Sequence, residues 1–390
     1  VSISRFEDRL AGRAIVLAGL RERITACAPQ DVAGALARIG AAQRAGHWVA
    51  LLLDYELGEW LEPGVMLPGG AHAPGSTPAP GPSHAAADTP RLTALVYERM
   101  DEEAPWTPSA TEAGDGPQAP AVQAVQPRIG AARYCDKVRR IREWIAQGEV
   151  YQINYTHAAD VSTQGAPDAL YRRLAARHPS AHAAYVEDEG RTVLSFSPEL
   201  FLQREGGTLT TRPMKGTAPR LPDLAADQAS GQALLASEKN RAENLMIVDL
   251  LRNDLGRVAR PGSVRVEALF TLERYPSVWT LTSTVRADAP DASLGDILRA
   301  LFPCGSVTGA PKIAAMRRIR ELEDGPRGLY CGSIGWLAPN GDFSLNVAIR
   351  TLVLDAATQG VYHAGGGIVA DSDPAQEWEE CEWKSRVLTR

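Results

Sequence analysis

Apolar and polar positions change their rhythm along this chain near residue 134. Before it, W-V-A-L-L-L-D-Y-E-L (Trp48 to Leu57) is a short continuous apolar run that predicts a buried strand. R-L-T-A-L-V-Y-E-R-M (Arg91 to Met100) predicts another. Residues 68–90, with P-G-S-T-P-A-P-G-P-S, and residues 101–127, with five prolines, have the composition of loops. A strand lies between them, so they read as surface insertions. From Tyr134 the period becomes helical: Val138, Ile141, Trp144 and Ile145 share one face of a helix ending near Gly148. Strands are predicted at 150–161, 183–188, 192–197 and 200–204. Ser237 to Arg257 reads as a long helix with Gly256 as its stop. Strands at 264–270 and 277–287, a helix at 293–301 and a helix from Pro311 to about Glu323 follow. Strands at 329–337, 343–354 and 360–364 and a closing helix from near Pro374 complete the pattern.

Clustered strands joined by a few helices predict an α+β fold with large, mostly antiparallel sheets rather than a βαβ alternation. Residues 1–130 read as an N-terminal region carrying the two insertions, and 131–390 as the main body of one intertwined unit. The length of 390 residues is enough for full cores. A net charge of −6 excludes a general nucleic-acid binder and means that an anionic ligand needs a local positive site. Five scattered cysteines form no C-x-x-C pair, which predicts reduced thiols and a cytoplasmic setting. The first residues, V-S-I-S-R-F-E-D-R-L, hold no apolar leader, and no apolar run approaches the length of a membrane span.

Several positions carry candidate chemistry. Lys215, between Pro213 and Gly216 in R-P-M-K-G-T, is either a solvated turn lysine or an amine nucleophile paired with an acid such as Glu199 in S-F-S-P-E. Glu377, Glu380 and Lys384 fall on one face of the closing helix. They form a salt-bridged surface or, with Glu243 from the long helix, an oxygen site for Mg²⁺. G-S-V-T-G-A-P-K (Gly305 to Lys312) is not a phosphate loop, because Pro311 removes a backbone N–H from any cradle. It reads as a loop bearing Ser306 and Thr308 that leads into a helix. Three glycines, Gly365 to Gly367, follow a strand and form a turn or a backbone site for a carboxylate. Arg350, in an otherwise apolar strand, calls for an anion.

Together these runs resemble the chorismate-utilising enzymes, which include anthranilate synthase, aminodeoxychorismate synthase, isochorismate synthase and salicylate synthase. The resemblance is carried by G-E-V-Y-Q-I-N, S-F-S-P-E, R-P-M-K-G-T, A-E-N-L-M-I-V-D-L-L-R-N-D, G-S-V-T-G-A-P-K, Y-C-G-S-I-G, I-R-T-L, A-G-G-G-I-V-A-D-S and E-x-x-E-x-x-x-K. It runs from about Tyr134 to the C-terminus, with a looser match at L-L-D-Y-E-L-G. It implies a sandwich of two large, mostly antiparallel sheets flanked by helices, as in anthranilate synthase component I. Members that add water carry a lysine where this chain has Gln152. Lys215 resembles the members that aminate chorismate at C4, where anthranilate synthases usually have alanine.

The resemblance further implies Mg²⁺ held by Glu243 and Glu380 with Glu377 assisting, and Lys384 near the metal-bound end of chorismate. Arg350, Tyr330, Ser306 and the backbone of Gly365, Gly366 and Gly367 would hold the enolpyruvyl carboxylate. Gln152, Gly216 and Thr217 would complete the substrate site, with Glu199 as general acid and Lys215 as nucleophile. Ammonia is expected from a glutamine amidotransferase partner, because no glutaminase pattern appears in the chain. Two positions depart from the family pattern. Thr280 stands where many relatives have histidine, and Asn240 where some have an acid.

Overall fold

Pairing between distant strands decides the architecture. The structure is a computed structural model that describes residues 3–66, 89–114, 116–275, 278–355 and 358–389. The strands are β1 (Ser4–Asp8), β2 (Arg13–Ala26), β3 (Trp48–Leu53), β4 (Leu92–Glu103), β5 (Ala121–Pro127), β6 (Gln152–Gln164), β7 (His182–Asp188), β8 (Arg191–Ser197) and β9 (Leu200–Glu205). They continue with β10 (Thr208–Arg212), β11 (Met214–Pro219), β12 (Arg265–Arg274), β13 (Val278–Asp288), β14 (Gly309–Ala310), β15 (Ser333–Leu337), β16 (Phe343–Asn346), β17 (Thr351–Leu354) and β18 (Gln359–Ile368). The helices are α1 (Asp31–Arg44), α2 (Leu57–Leu61), α3 (Ala110–Ala113), α4 (Ala131–Ala146), α5 (Pro167–Arg177), α6 (Leu224–Ala236), α7 (Glu238–Gly256), α8 (Leu294–Leu301), α9 (Lys312–Leu322) and α10 (Pro374–Ser385).

Among the described residues the strands form one hydrogen-bonded network, and the pairings are antiparallel. It runs as a strip from β12 through β13, β10, β9, β16, β15, β3, β4, β2, β1, β7, β8, β17 and β18 to β6 and β5. The strip folds back on itself. Ala50, Leu52, Leu95 and Ile334 from one half share a core cluster with Phe6, Ala184, Val186 and Val193 from the other. The two layers of the expected sandwich are therefore the two halves of one strip. Strands before residue 130 pair with strands after it, β1 with β7 and β3 with β15.

Helices form where the expected face is apolar. Tyr134, Val138, Ile141 and Trp144 of α4 are buried. After α4, Gly148 takes φ +77°, a conformation glycine adopts without steric cost. Ser237 caps α7 by accepting from the Asn240 N–H, and Asp373 caps α10 by accepting from Ala375 and Gln376.

Three expectations need correction, and a fourth is not tested. The 101–127 stretch is ordered as the end of β4, a short α3 and β5, because β5 gains a full antiparallel partner in β6. The expected 68–90 loop falls outside the described residues, its last two positions apart. The predicted strand 343–354 is two strands, β16 and β17, broken at Arg350, whose φ is +50°. The glycines Gly365 to Gly367 lie inside β18 rather than in a turn.

Two connections cross between the halves side by side. Ser197, Pro198 and Glu199 lead from β8 to β9, and Val347 to Arg350 lead from β16 to β17. The Val347 N–H donates to the Glu199 carbonyl at 3.0 Å, and the Phe196 N–H to the Arg350 carbonyl at 3.0 Å. The Ser197 hydroxyl donates to the Val347 carbonyl at 2.6 Å.

Candidate active site

A cavity of about 450 Å³ opens where these crossings meet β11, β13, β18, α7 and α10. Its walls include Glu199, Lys215, Gly216, Thr217, Glu243, Ser306, Tyr330, Arg350, Gly365, Gly366, Gly367, Glu377, Glu380 and Lys384. Elements up to about 180 residues apart in sequence thus bring these predicted side chains together. Gln152 is not on that wall but lies directly behind it. A Cβ placed on Gly367 would stand 2.6 Å from Gln152 Nε2 and 3.4 Å from Lys215 Nζ.

Glu199 is buried, and its Oε1 has no hydrogen-bond partner among the described residues. Burial raises its pKa to about 7, against the pull of the Ser306 hydroxyl, the Lys215 charge and the Met214 backbone. An acid so placed holds its proton near neutrality and can release it to a ligand. Lys215 reaches the same space from β11 and donates to the Ser306 carbonyl at 3.4 Å. Gln152 is also buried, and both polar atoms of its amide lack partners among the described residues. Such groups call for a polar occupant.

Arg350 lies among Tyr362, Tyr275 and Tyr330, and burial lowers its pKa. A guanidinium facing phenols rather than carboxylates is free to take an anion. The ring of Tyr330 stacks on His363, with centroids 5.2 Å apart. Backbone donors lie alongside. The Thr156 N–H donates to Glu323 Oε1, and the Asn154 N–H to the Thr308 carbonyl. The pairs Gly365–Thr156 and Gly367–Asn154 are therefore the non-hydrogen-bonded ones of the β18–β6 ladder. The amides of Gly365 and Gly367 point to the opposite edge, where β17 has already ended at its Leu352–Tyr362 pair.

The carboxylates gather at the other end. Burial raises the pKa of Glu243 and of Glu377, and neighbouring carboxylates add to both. Burial also pushes Glu380 up, but the Lys384 ammonium at 2.6 Å, together with Lys215 and Lys239, lowers it overall. Lys384 also donates to the Gly365 carbonyl at 2.7 Å. Among the described residues no three metal-binding side chains are already drawn together around one point. The donor set nevertheless suits a hard cation, being three carboxylates, one of which already pairs with Lys384. Gly366 keeps room for it, since a Cβ there would stand 3.1 Å from Glu377 Oε2 and 3.8 Å from Glu380 Oε1.

A family model described as chorismate binding enzyme matches residues 15–390. The chain belongs to this family. Aminodeoxychorismate synthase component 1 of Salmonella typhimurium is 45% identical over 260 residues, 66% of this chain and 57% of that protein. Anthranilate synthase component 1 of Streptomyces coelicolor is 46% identical over 263 residues, 66% of this chain and 50% of that protein. The chain thus spans about half the length of the curated relatives it matches. Anthranilate synthase component I from Streptococcus pneumoniae superposes with a TM-score of 0.80 at 26% identity, covering 97% of this chain and 92% of that one. That solved structure thus shares the fold of nearly the whole of this chain.

Other wall residues escaped the sequence reading. Asn154, Lys239, Tyr362, His363 and Trp383 line the cavity, as do the two departures, Asn240 and Thr280. Thr280 had a usable signal: V-W-T-L-T-S-T places threonines on a strand face that is buried. Conversely, Lys312 of the glycine-rich run serves structure. It pairs with Asp254 Oδ2 at 2.5 Å and donates to the Leu301 carbonyl at 3.0 Å.

Proposed function

We propose that this chain aminates chorismate to 4-amino-4-deoxychorismate, the step that leads towards para-aminobenzoate and folate. The ammonia comes from a glutamine amidotransferase partner. The observation that carries this reading is Lys215 in one cavity with buried Glu199, whose Oε1 has no partner among the described residues and whose pKa burial raises to about 7. Relatives named for both amination reactions match almost equally well, so their names do not choose between them. The lysine at position 215 does, because anthranilate synthases usually carry alanine there.

Arg350, Tyr330, the Ser306 hydroxyl and the amides of Gly365 and Gly367 would hold the enolpyruvyl carboxylate. Glu243 and Glu380, with Glu377 beside them, would hold Mg²⁺, which supplies positive charge for the ring carboxylate. Lys384 lies at the same end. Gly216 and Thr217 would bound the ring, with Gln152 behind Gly367. Lys215, as the neutral amine, adds to ring C2, and both double bonds shift as the C4–O bond breaks. Glu199 gives its proton to the departing hydroxyl, which leaves as water. Ammonia then adds at C4, the double bonds shift back, and Lys215 leaves C2 as the neutral amine. The new ammonium group returns a proton to Glu199. The occupied C2 directs ammonia to C4.

Incubation of the purified chain with chorismate, Mg²⁺ and ammonium at alkaline pH tests this. The expected product is 4-amino-4-deoxychorismate, identified by mass and chromatography. Anthranilate as the main product would establish the alternative synthase, and absence of turnover would mark a non-catalytic relative.

A further inference from the structure

The lysine that this reading makes the nucleophile sits on an irregular strand, and the irregularity is held by named contacts. In the pairing of β11 with β13, Lys215 faces Leu281 and Thr217 faces Thr280. Gly216 is the extra residue between them, a β-bulge. A bulge bends its strand and re-aims the neighbouring side chain. Gly216 takes φ +80°, which a residue with a Cβ rarely adopts. A Cβ there would also stand 2.8 Å from Asn240 Oδ1, so Asn240 closes over the bulge from α7. Asn240 is itself held, its amide donating to the Ser237 hydroxyl at 2.9 Å.

A bulge leaves backbone groups outside the ladder, and a half-buried carbonyl there is held in place by a donor. The Thr280 hydroxyl takes that part, donating to the Gly216 carbonyl at 3.0 Å. Thr280 is completely buried on β13. The same strand is fixed to α7, for Asn244 accepts from the Ser283 hydroxyl at 2.6 Å and donates to the Leu281 carbonyl at 3.4 Å. The bulge is thus pinned from β13 by one hydroxyl and covered from α7 by one amide.

We propose that Thr280 is a positioning residue for Lys215: its hydroxyl fixes the Gly216 bulge and so aims the amine into the cavity. This rests on the reading of Lys215 as nucleophile. It gives a task to a position that departs from the family pattern. The threonine does not touch substrate in this scheme. It acts through the backbone next to the lysine.

The test compares Thr280→Val, which keeps the shape and removes the hydroxyl, with Thr280→Ser, which keeps the hydroxyl. Thr280→Val is expected to lower kcat roughly ten- to a hundredfold while KM for chorismate stays within about twofold. Thr280→Ser is expected to stay within about threefold of the parent in both constants. Independently of turnover, acylation of Lys215 by an amine reagent, mapped by mass spectrometry, is expected to change several-fold in Thr280→Val. Acylation of Lys239 is expected to stay constant. Parental kcat and Lys215 labelling in Thr280→Val, or equal losses in the valine and serine variants, would overturn the proposal. Parental turnover in Lys215→Ala would instead remove the nucleophile reading. The labelling comparison separates the two failures, because it reports where the amine points whether or not that amine reacts with chorismate.

Discussion

At the scale of single residues, Glu199 joins function to stability. Its pKa near 7 in the fold lies above the ordinary 4.5. The folded state therefore keeps a proton between those values that the unfolded chain has released. Stability due to that proton is complete below about pH 4.5 and is lost as pH rises through 7. Glu199→Gln removes the ionisation but keeps the shape. It is expected to exceed the parent in stability above pH 7 by up to about 3 kcal/mol, with the gain shrinking towards pH 5. Urea unfolding at pH 5 and pH 8 measures this; a gain independent of pH would contradict it. The same variant is expected to lose roughly 10²- to 10⁴-fold in turnover, the usual contribution of a positioned proton donor. Lys215→Ala is expected to abolish most 4-amino-4-deoxychorismate formation, with residual product moving towards anthranilate. A parental rate and product ratio would sink the nucleophile role.

At the scale of elements, the closing helix was legible because its roles follow a helical period. Glu377, Glu380 and Lys384 fall on one face from spacing alone, and the structure sets that face against Gly365 and Gly366. Glu243→Gln or Glu380→Gln is expected to raise the Mg²⁺ concentration needed for half-maximal activity or to end turnover. A Mg²⁺ titration of each variant measures this, and full activity of the parent in excess chelator would refute the metal assignment. The β11 bulge was not legible. It depends on what stands opposite it on β13, 64 positions later in the case of Thr280 and Gly216. The same holds for β5. The proline-rich stretch around it reads as loop, and only the partner β6 makes a strand of it. Arg350 was found as a residue but misplaced in its element, because a run of apolar neighbours does not reveal a left-handed backbone turn. Periodicity reports what a segment does with its own neighbours, and bulges and crossings are set by other segments.

At the scale of the whole molecule, the proposed amination needs a source of ammonia. The five cysteines are reduced, and Cys304, Cys331 and Cys381 are buried with pKa values pushed up to about 11 or 12, the opposite of a glutaminase thiolate. Glutamine alone is therefore expected to give no turnover, whereas ammonium supports it and a glutaminase subunit restores glutamine use near neutral pH. Product formation with each nitrogen source measures this. Efficient glutamine-dependent synthesis by the single chain, with ammonia contamination excluded, would overturn it. At fixed total ammonium, the supply of NH₃ rises about tenfold per pH unit below the ammonium pKa, and only the free base attacks.

The paired crossings from β8 to β9 and from β16 to β17 have a mechanical consequence. Glu199 stands on one and Arg350 on the other, and backbone bonds join the two. A molecule gripped by both ties the two halves of the strip, two packed plates, together across the cavity. Any ligand that fits the cavity therefore resists their splaying, and its affinity reappears as resistance to unfolding, about 2.7 kcal/mol at a hundred times its Kd. Amide hydrogen exchange would register this in both plates at once, in β9 and β16 on one side and β8 and β17 on the other, although few of those amides can touch the ligand.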